Sequence, residues 1–367
     1  VNNRLSSRGV RFFLLGYYGF GNWGDELSLL ASIETLSQIS EKTGVPFSIE
    51  VLYASTQPLI AFPGKVQIVE RKEWLAIFRA LRRADFVMVA GGSLLQDKTS
   101  FRSLLYYLFL LRLALCWRKK VIFYGCGLGP LERTLSRVMV NALLQKVSLF
   151  VARDTETFQY LTSLRGLEEV VVLGGDPVLY WSNRLPARNP SGERVAFFLR
   201  SEGLTMEKVS RELQSFAKLS GERVEIVAFH EARDGRFLSE IARRAGCSYR
   251  VFSKPQEIWD YFSSLKMVFS MRLHPLIIAT LFGIPWFAFD IDPKIAAFSD
   301  SLGFNNLLAL DDFAARQLSE CLQCVPSLGE KISAVRQSLV ESYLETEKSL
   351  LNYLVAEMER RAGGDAS

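Results

Sequence analysis

Histidine is nearly absent from this sequence, with two residues, His230 and His274, in 367. Cysteine is sparse too: five are scattered along the chain, and the one Cys-x-x-Cys, at Cys321 and Cys324, has no second pair to complete it. A zinc site needs a full set of such ligands at short spacing, so no metal is expected, and Cys321 and Cys324 read as one face of a helix. Scattered cysteines in a large chain also argue against a disulfide framework and for a reducing cytoplasm. The opening Val-Asn-Asn-Arg-Leu-Ser-Ser-Arg-Gly has no apolar stretch, which predicts no signal peptide.

No apolar run is long enough to cross a bilayer. The most apolar one, Ser103-Leu-Leu-Tyr-Tyr-Leu-Phe-Leu-Leu111, is bracketed by Arg102 and Arg112 and followed by Leu113 to Trp117 and Arg118-Lys-Lys120. It reads either as a buried or half-buried helix or as a membrane-surface helix with basic flanks, in peripheral contact with the inner membrane face. The formal net charge of +5 carries no dense basic stripe. Nucleic acid is therefore excluded as a partner, whereas anionic small molecules or an acidic membrane surface remain.

What the sequence does have is a rhythm. Short apolar runs alternate with helix-period segments: Phe12 to Gly16, Phe47 to Tyr53, Asp85 to Ala90, Val121 to Gly125, Leu149 to Ala152 and Val170 to Leu173. After a turn-rich break at Ser182 to Gly192 it resumes with Arg194 to Leu199, Val224 to Phe229, Met267 to Ser270 and Trp286 to Phe289. This predicts an α/β protein of two doubly wound, Rossmann-like domains facing a central cleft, with functional groups outside the carboxyl ends of the strands. The expected division is 1–182, 193–325, a C-terminal helix over 326–362 and a frayed tail at 363–367. The helix is marked by Ile332, Val335, Leu339, Tyr343, Leu350, Leu354 and Met358.

Gly16-Tyr-Tyr-Gly-Phe-Gly-Asn-Trp-Gly-Asp-Glu26 follows the first strand and contains Gly-x-Gly-x-x-Gly. A dinucleotide site would need a helix start free for pyrophosphate and an acid ending the second strand. Here Asp25 and Glu26 place carboxylates at the helix start, and the second strand ends in Tyr53-Ala-Ser-Thr56, so a dinucleotide is excluded. The two acids equally suit a helix dipole as first-turn residues. Other strand ends carry Gly91 to Asp97, Gly125 to Pro130, Arg153-Asp154, Gly174 to Pro177, Arg200, His230, Arg272-Leu-His274 and Asp290 to Lys294. In Phe269-Ser-Met-Arg-Leu-His-Pro275, Arg272 offers a forked anion clamp beside His274, and imidazole is the side chain suited to proton donation near neutral pH.

Through Gly16–Glu26, Gly91-Gly-Ser-Leu-Leu-Gln-Asp97, Gly125-Cys-Gly-Leu-Gly-Pro130, Ala152-Arg-Asp154, Gly175-Asp-Pro177, Ser270-Met-Arg-Leu-His274 and Asp292-Pro-Lys-Ile295, the sequence resembles the polysaccharide pyruvyltransferase family, the CsaB-like ketal-pyruvyltransferases. The resemblance runs through most of the chain and implies a fold similar to GT-B glycosyltransferases. It implies that phosphoenolpyruvate gives its pyruvyl group to a sugar as a cyclic ketal, releasing phosphate, with no cofactor. The implied acceptor is a cell-surface or cell-wall glycan, often an N-acetylmannosamine residue on a lipid diphosphate. Arg153 and Arg272 match the family's donor positions, as does His274. Trp23 and Ile291 depart from it, where a small or aliphatic residue and an aromatic are usual.

Phosphoenolpyruvate carries roughly −3 near neutral pH, so Lys294 joins Arg153 and Arg272 as a donor-binding cation. His274 is assigned as the acid, or as proton donor to the leaving phosphate. Asp25 or Glu26 would deprotonate or orient the acceptor hydroxyls, their helix-start role remaining open; Asn22, Asp97 and Asp176 are assigned to the acceptor sugar, although Asp also shapes turns. Two other classes remain: a nucleotide-sugar glycosyltransferase on the same fold, and a non-catalytic glycan-binding assembly protein.

Overall fold

Phe86–Ala90 is apolar and buried along its whole length, and Arg194–Phe198 is buried from its second residue on. A strand can be so only where helices cover both faces of a parallel sheet. The computed structural model describes residues 9–189 and 192–364. The opening residues 1–8, Pro190 and Ser191 of the turn-rich break, and 365–367 of the expected tail lie outside the described residues.

The first sheet is built from β1 (Val10–Leu15), β2 (Phe47–Tyr53), β3 (Val66–Glu70), β4 (Phe86–Ala90), β5 (Lys120–Cys126), β6 (Leu149–Ala152) and β7 (Val171–Leu173). Between them run α1 (Trp23–Thr43), α2 (Trp74–Arg83), α3 (Phe101–Cys116), α4 (Thr134–Leu144) and α5 (Thr155–Thr162). The second sheet uses β8 (Arg194–Phe198), β9 (Arg223–Val227), β10 (Ser248–Arg250), β11 (Leu265–Ser270), β12 (Trp286–Phe289) and β13 (Leu307–Leu308). Its helices are α6 (Met206–Ser220), α7 (Glu231–Ala245), α8 (Pro255–Ser263), α9 (Leu273–Leu281), α10 (Pro293–Ser301) and α11 (Ala315–Gln323); α12 (Val325–Gly364) closes the chain.

The strand orders are β3-β2-β1-β4-β5-β6-β7 and β10-β9-β8-β11-β12-β13, and every pairing is parallel. Both are doubly wound α/β sheets. The winding reverses between β1 and β4 in the first sheet and between β8 and β11 in the second, so each sheet opens a crevice at those carboxyl ends. Stacked aromatics tie the strands together, Phe123 on Phe150 at 4.7 Å and Phe197 on Phe269 at 4.8 Å.

The chain folds into two compact units that are not contiguous in sequence. The first comprises the residues up to Gly19, Asp25–Tyr180 and those from Glu341 on; the second comprises Phe20–Gly24 and Trp181–Val340. Thus α1 and α12 each begin in the second unit and end in the first.

Candidate functional site

In the second unit, β8 and β11 lie side by side at the switch point, and the residues just beyond them are Arg200 and Arg272. The Met271 N–H donates to the Phe198 carbonyl at 2.9 Å, which keeps the two exits in step. Arg272 is fixed by Ser270, whose Oγ accepts from the Arg272 N–H at 2.9 Å and donates to its carbonyl at 2.8 Å. Arg272 is 8% exposed, and its guanidinium donates through Nη2 to Asp234, a fully buried carboxylate near the start of α7. Asp234 Oδ1 in turn accepts from the Ser201 N–H and hydroxyl at 3.2 and 3.1 Å.

Arg200 Nη2 lies 3.5 Å from Asp292 Oδ2, and Lys294 Nζ lies 3.2 Å from the same oxygen. Asp292 also caps α10, accepting from the Lys294 N–H. The Nε atoms of both Arg200 and Arg272 are buried without a hydrogen-bond partner among the described residues. Burial lowers the Arg272 pKa, and the Arg200 charge lowers it further against the opposing pull of Asp234. A buried and a half-buried guanidinium, each with an unused buried donor, form a cradle suited to an anion.

His274 occupies the first turn of α9 and owes its place to a glycine far away in sequence. Gly24 lies inside α1 and is not among the glycines with positive φ, so its backbone does not require glycine. A Cβ there would instead collide with the His274 ring. The segment carrying Gly24 is held to the second unit by the Trp23 N–H to the Phe229 carbonyl at 3.0 Å and by an antiparallel bridge from Asn22 to His230. His230 Nε2 lies 3.0 Å from the Phe20 carbonyl, which can only accept, so Nε2 carries the donated proton; burial and the Arg272 charge lower the ring's pKa. The last glycine of Gly-x-Gly-x-x-Gly therefore makes room for an imidazole.

The first unit holds the acids. Glu26 is fully buried, one oxygen accepting from the Gly19 N–H at 2.6 Å and the other from the Tyr53 hydroxyl at 2.7 Å. Burial pushes its pKa up to about 7, the two hydrogen bonds opposing and Asp25 adding to the rise. Tyr53 ends β2, where a dinucleotide site would carry an acid, and its ring packs against Gly19 so closely that a Cβ there would clash. Asp25 is half-buried, with its Oδ1 3.2 Å from where a Cβ on Gly92 would stand, after β4.

Arg153, just beyond β6, is buried with Nη1 3.3 Å from Asp176 and Nε 3.6 Å from Asp154. Burial acts to lower its pKa, but the two carboxylates outweigh it and raise it. Its Nη2 reaches Ser93 Oγ at 3.3 Å, in space left by Gly127. Asp176 Oδ1 also accepts from the Val178 N–H at 3.0 Å. Asp97 accepts from the Glu132 and Arg133 N–H groups at 2.7 and 3.0 Å, ahead of α4.

The structure thus brings Arg272 and Lys294 together through Arg200 and Asp292, and seats His274 on the segment that carries Asn22. It pairs Arg153 with Asp176, engages both oxygens of Glu26, and places Asp97 on a loop backbone. Asp234 and Ser201 were not singled out by sequence: an acid in the first turn of a helix has an ordinary capping role, and nothing local distinguishes one that holds an arginine.

A family model described as "Polysaccharide pyruvyl transferase" matches residues 22–293. The chain belongs to the polysaccharide pyruvyl transferase family. It is accordingly a transferase of the kind that acts on polysaccharides, and the matched span takes in every residue of the Arg272 cluster save the adjoining Lys294. Among curated proteins, no sequence matches this chain. Among solved structures, a putative UDP-N-acetylglucosamine 2-epimerase from Listeria monocytogenes is similar at 10% identity and TM-score 0.62, over 96% of this chain and 98% of that one. The UDP-GlcNAc 2-epimerase from Neisseria meningitidis, bound to UDP-GlcNAc, aligns at 12% identity and TM-score 0.60, over 95% and 100%. Anabaena HepE, in complex with UDP and glucose, aligns at 13% identity and TM-score 0.58, also over 95% and 100%. At such identity the likeness is one of fold, and it places this pyruvyl transferase chain among GT-B-like, doubly wound α/β proteins.

Proposed function

We propose that this protein transfers the pyruvyl group of phosphoenolpyruvate to two hydroxyls of one sugar in a cell-surface polysaccharide or its lipid-linked precursor. The product is a cyclic ketal, and phosphate is released. The observation that carries this reading is the pair of guanidiniums of half-buried Arg200 and buried Arg272, whose Nε atoms are buried with no partner among the described residues, beside the strand exit that delivers His274. A donor with a phosphate and a carboxylate supplies the anionic oxygens such a pair lacks.

The reaction needs three events. The donor's methylene carbon takes a proton and becomes a methyl group. One sugar hydroxyl then bonds to the neighbouring carbon, losing its proton, and the bond from that carbon to the phosphate oxygen breaks with its electron pair. A second hydroxyl takes the vacated position and gives up its own proton, so one donor and one diol yield one ketal and one phosphate. We assign Arg272, Arg200 and Lys294 to the donor's anionic oxygens, and His274 to proton donation, either to carbon or to the leaving phosphate. Asp25 is the candidate base for the acceptor, with Asn22 hydrogen-bonding the sugar. Glu26, with both oxygens engaged, serves to hold Gly19 and Tyr53. Arg153, Asp97 and Asp176 act as positioning residues for the loops that bear them. No cofactor is required, and a cytoplasmic location suits the donor.

Purified protein incubated with phosphoenolpyruvate and a synthetic or lipid-diphosphate-linked disaccharide should add one pyruvyl mass to the acceptor. Phosphate release should depend on both substrates. Sugar transfer from a uridine diphosphate sugar, in place of phosphoenolpyruvate chemistry, would overturn the reading in favour of a glycosyltransferase. Acceptor binding without phosphate release would leave a glycan-binding protein.

A further inference from the structure

Well-packed helices of a doubly wound sheet turn mostly polar residues outward, and in the first unit three consecutive helices expose large apolar side chains beside them. The crossovers from β3 to β4, β4 to β5 and β5 to β6 all move the same way across the sheet, so α2, α3 and α4 lie on one side of it and share one core. On their outer surface Leu75 is 72% exposed, Val138 61%, Leu135 58%, Phe109 49% and Trp74 44%. Trp74 touches Phe109 across the two helices, ring centroids 6.1 Å apart, which makes the patch continuous from α2 to α3.

The exposed charge around this apolar surface is mostly basic, with Arg133, Arg137 and Lys146 against Glu132 around α4. Over 71–83 and 101–120 the exposed basic residues are Lys72, Arg79, Arg82, Arg83, Arg102, Arg112 and Arg118, against Glu73 as the one exposed acid. Arg83 is paired with Glu50 at 2.6 Å. At helical spacing Arg79 and Arg82 follow Leu75 along α2, and Arg112 follows Phe109 along α3. Contiguous exposed aromatics ringed by cations match the layered chemistry of an anionic bilayer, with apolar rings at the acyl boundary and guanidiniums at the lipid phosphates. No helix among the described residues is long and apolar enough to cross a membrane, so such contact would be peripheral.

We propose that the outer face of α2, α3 and α4 docks the first unit on the surface of an anionic bilayer. Trp74, Leu75 and Phe109 enter the headgroup region, and Arg79, Arg82, Arg112 and Arg118 meet the lipid phosphates. The inference needs no substrate and therefore stands apart from the transfer chemistry.

Co-sedimentation with vesicles tests it. The protein should bind vesicles containing phosphatidylglycerol, bind pure phosphatidylcholine far less, and dissociate as salt is raised. Arg79→Glu and Arg82→Glu should each weaken partitioning at least about fivefold, the scale of one basic residue at an anionic surface. Leu75→Ser should weaken it with little change in the thermal midpoint, because that side chain already faces water. Absence of binding to phosphatidylglycerol at low salt would overturn the proposal, as would equal binding to phosphatidylcholine. Sedimentation equilibrium showing a dimer that Leu75→Ser dissociates, with no vesicle binding, would assign the face to a second copy of the chain instead.

Discussion

Arg272 and Asp234 are a buried ion pair, and a partner left alone in such a pair is an uncompensated charge in a low-dielectric setting that costs about 3–5 kcal/mol. Arg272→Met should therefore lose stability and turnover together. Arg272→Met combined with Asp234→Asn should recover much of the denaturation midpoint and remain inactive, because the charge is gone from both sides but the anion clamp is still missing. Wild-type turnover in the double variant would remove Arg272 from the chemistry. Glu26 makes a prediction of opposite character. Its folded pKa of about 7 lies above the ordinary 4.5, so between those values the folded state holds a proton that the unfolded chain has released. Stability then falls as pH rises through that window, by on the order of 3 kcal/mol in all. Glu26→Gln should flatten the dependence, gaining on the wild type at about pH 8 relative to about pH 5 in urea denaturation. Equal pH slopes for the two proteins would show that Glu26 is not the group responsible. Arg272, His274 and Lys294 were legible in sequence because rare or charged residues at the end of an apolar run need a reason. Asp234 was not, because its partner is 38 positions away.

At the scale of elements, Gly24 shows how a local motif can answer to a distant side chain. Glycine inside a helix is worse than alanine by about 0.5–1 kcal/mol, so Gly24→Ala would by propensity stabilise α1. The added methyl meets the His274 ring, however, and that ring must rotate away. The expected result is a turnover loss comparable to that of His274→Gln, with a thermal midpoint that is not lowered by the full cost of a core clash. Unchanged turnover in Gly24→Ala would mean that the ring's placement is immaterial. The strands themselves were legible in proportion to their burial. β4, β5, β6, β8 and β11 are covered on both faces and read as apolar runs, whereas β3, β10 and β13 sit at or near sheet edges, with two to five residues each, and their partial exposure dilutes the signal. The apolar stretch at 103–111 was equally ambiguous. Within α3, Leu104, Tyr107, Leu108, Leu110 and Leu111 are buried while Leu105 and Phe109 are exposed, and composition alone cannot say which residues face the core.

The molecule's least legible property is that its chain returns. A linear reading divides the sequence at the turn-rich break, but the residues from Glu341 on belong to the first unit. They are tied there by side chains no periodicity could match to partners. Thr346 Oγ1 accepts the Gly175 N–H at 2.8 Å, the Tyr343 and Thr35 hydroxyls lie 2.8 Å apart, and Arg361 pairs with Asp85 at 2.8 Å. Tyr343, Leu350, Leu354 and Met358 are all within 5% of full burial. Burying a side chain of this kind contributes about 1.5–3 kcal/mol, so four of them together rival the roughly 5–15 kcal/mol by which a domain is stable. Ending the chain at Val340 should therefore unfold the first unit while the second, which contains Trp181–Val340, keeps its own core. Amide hydrogen exchange measures this directly. Protection should be lost across β1, β4 and β5 and kept in β8, β9 and β11. Retained protection in β4 and β5 would show that the terminal helix is an appendage, and that the first sheet is closed without it.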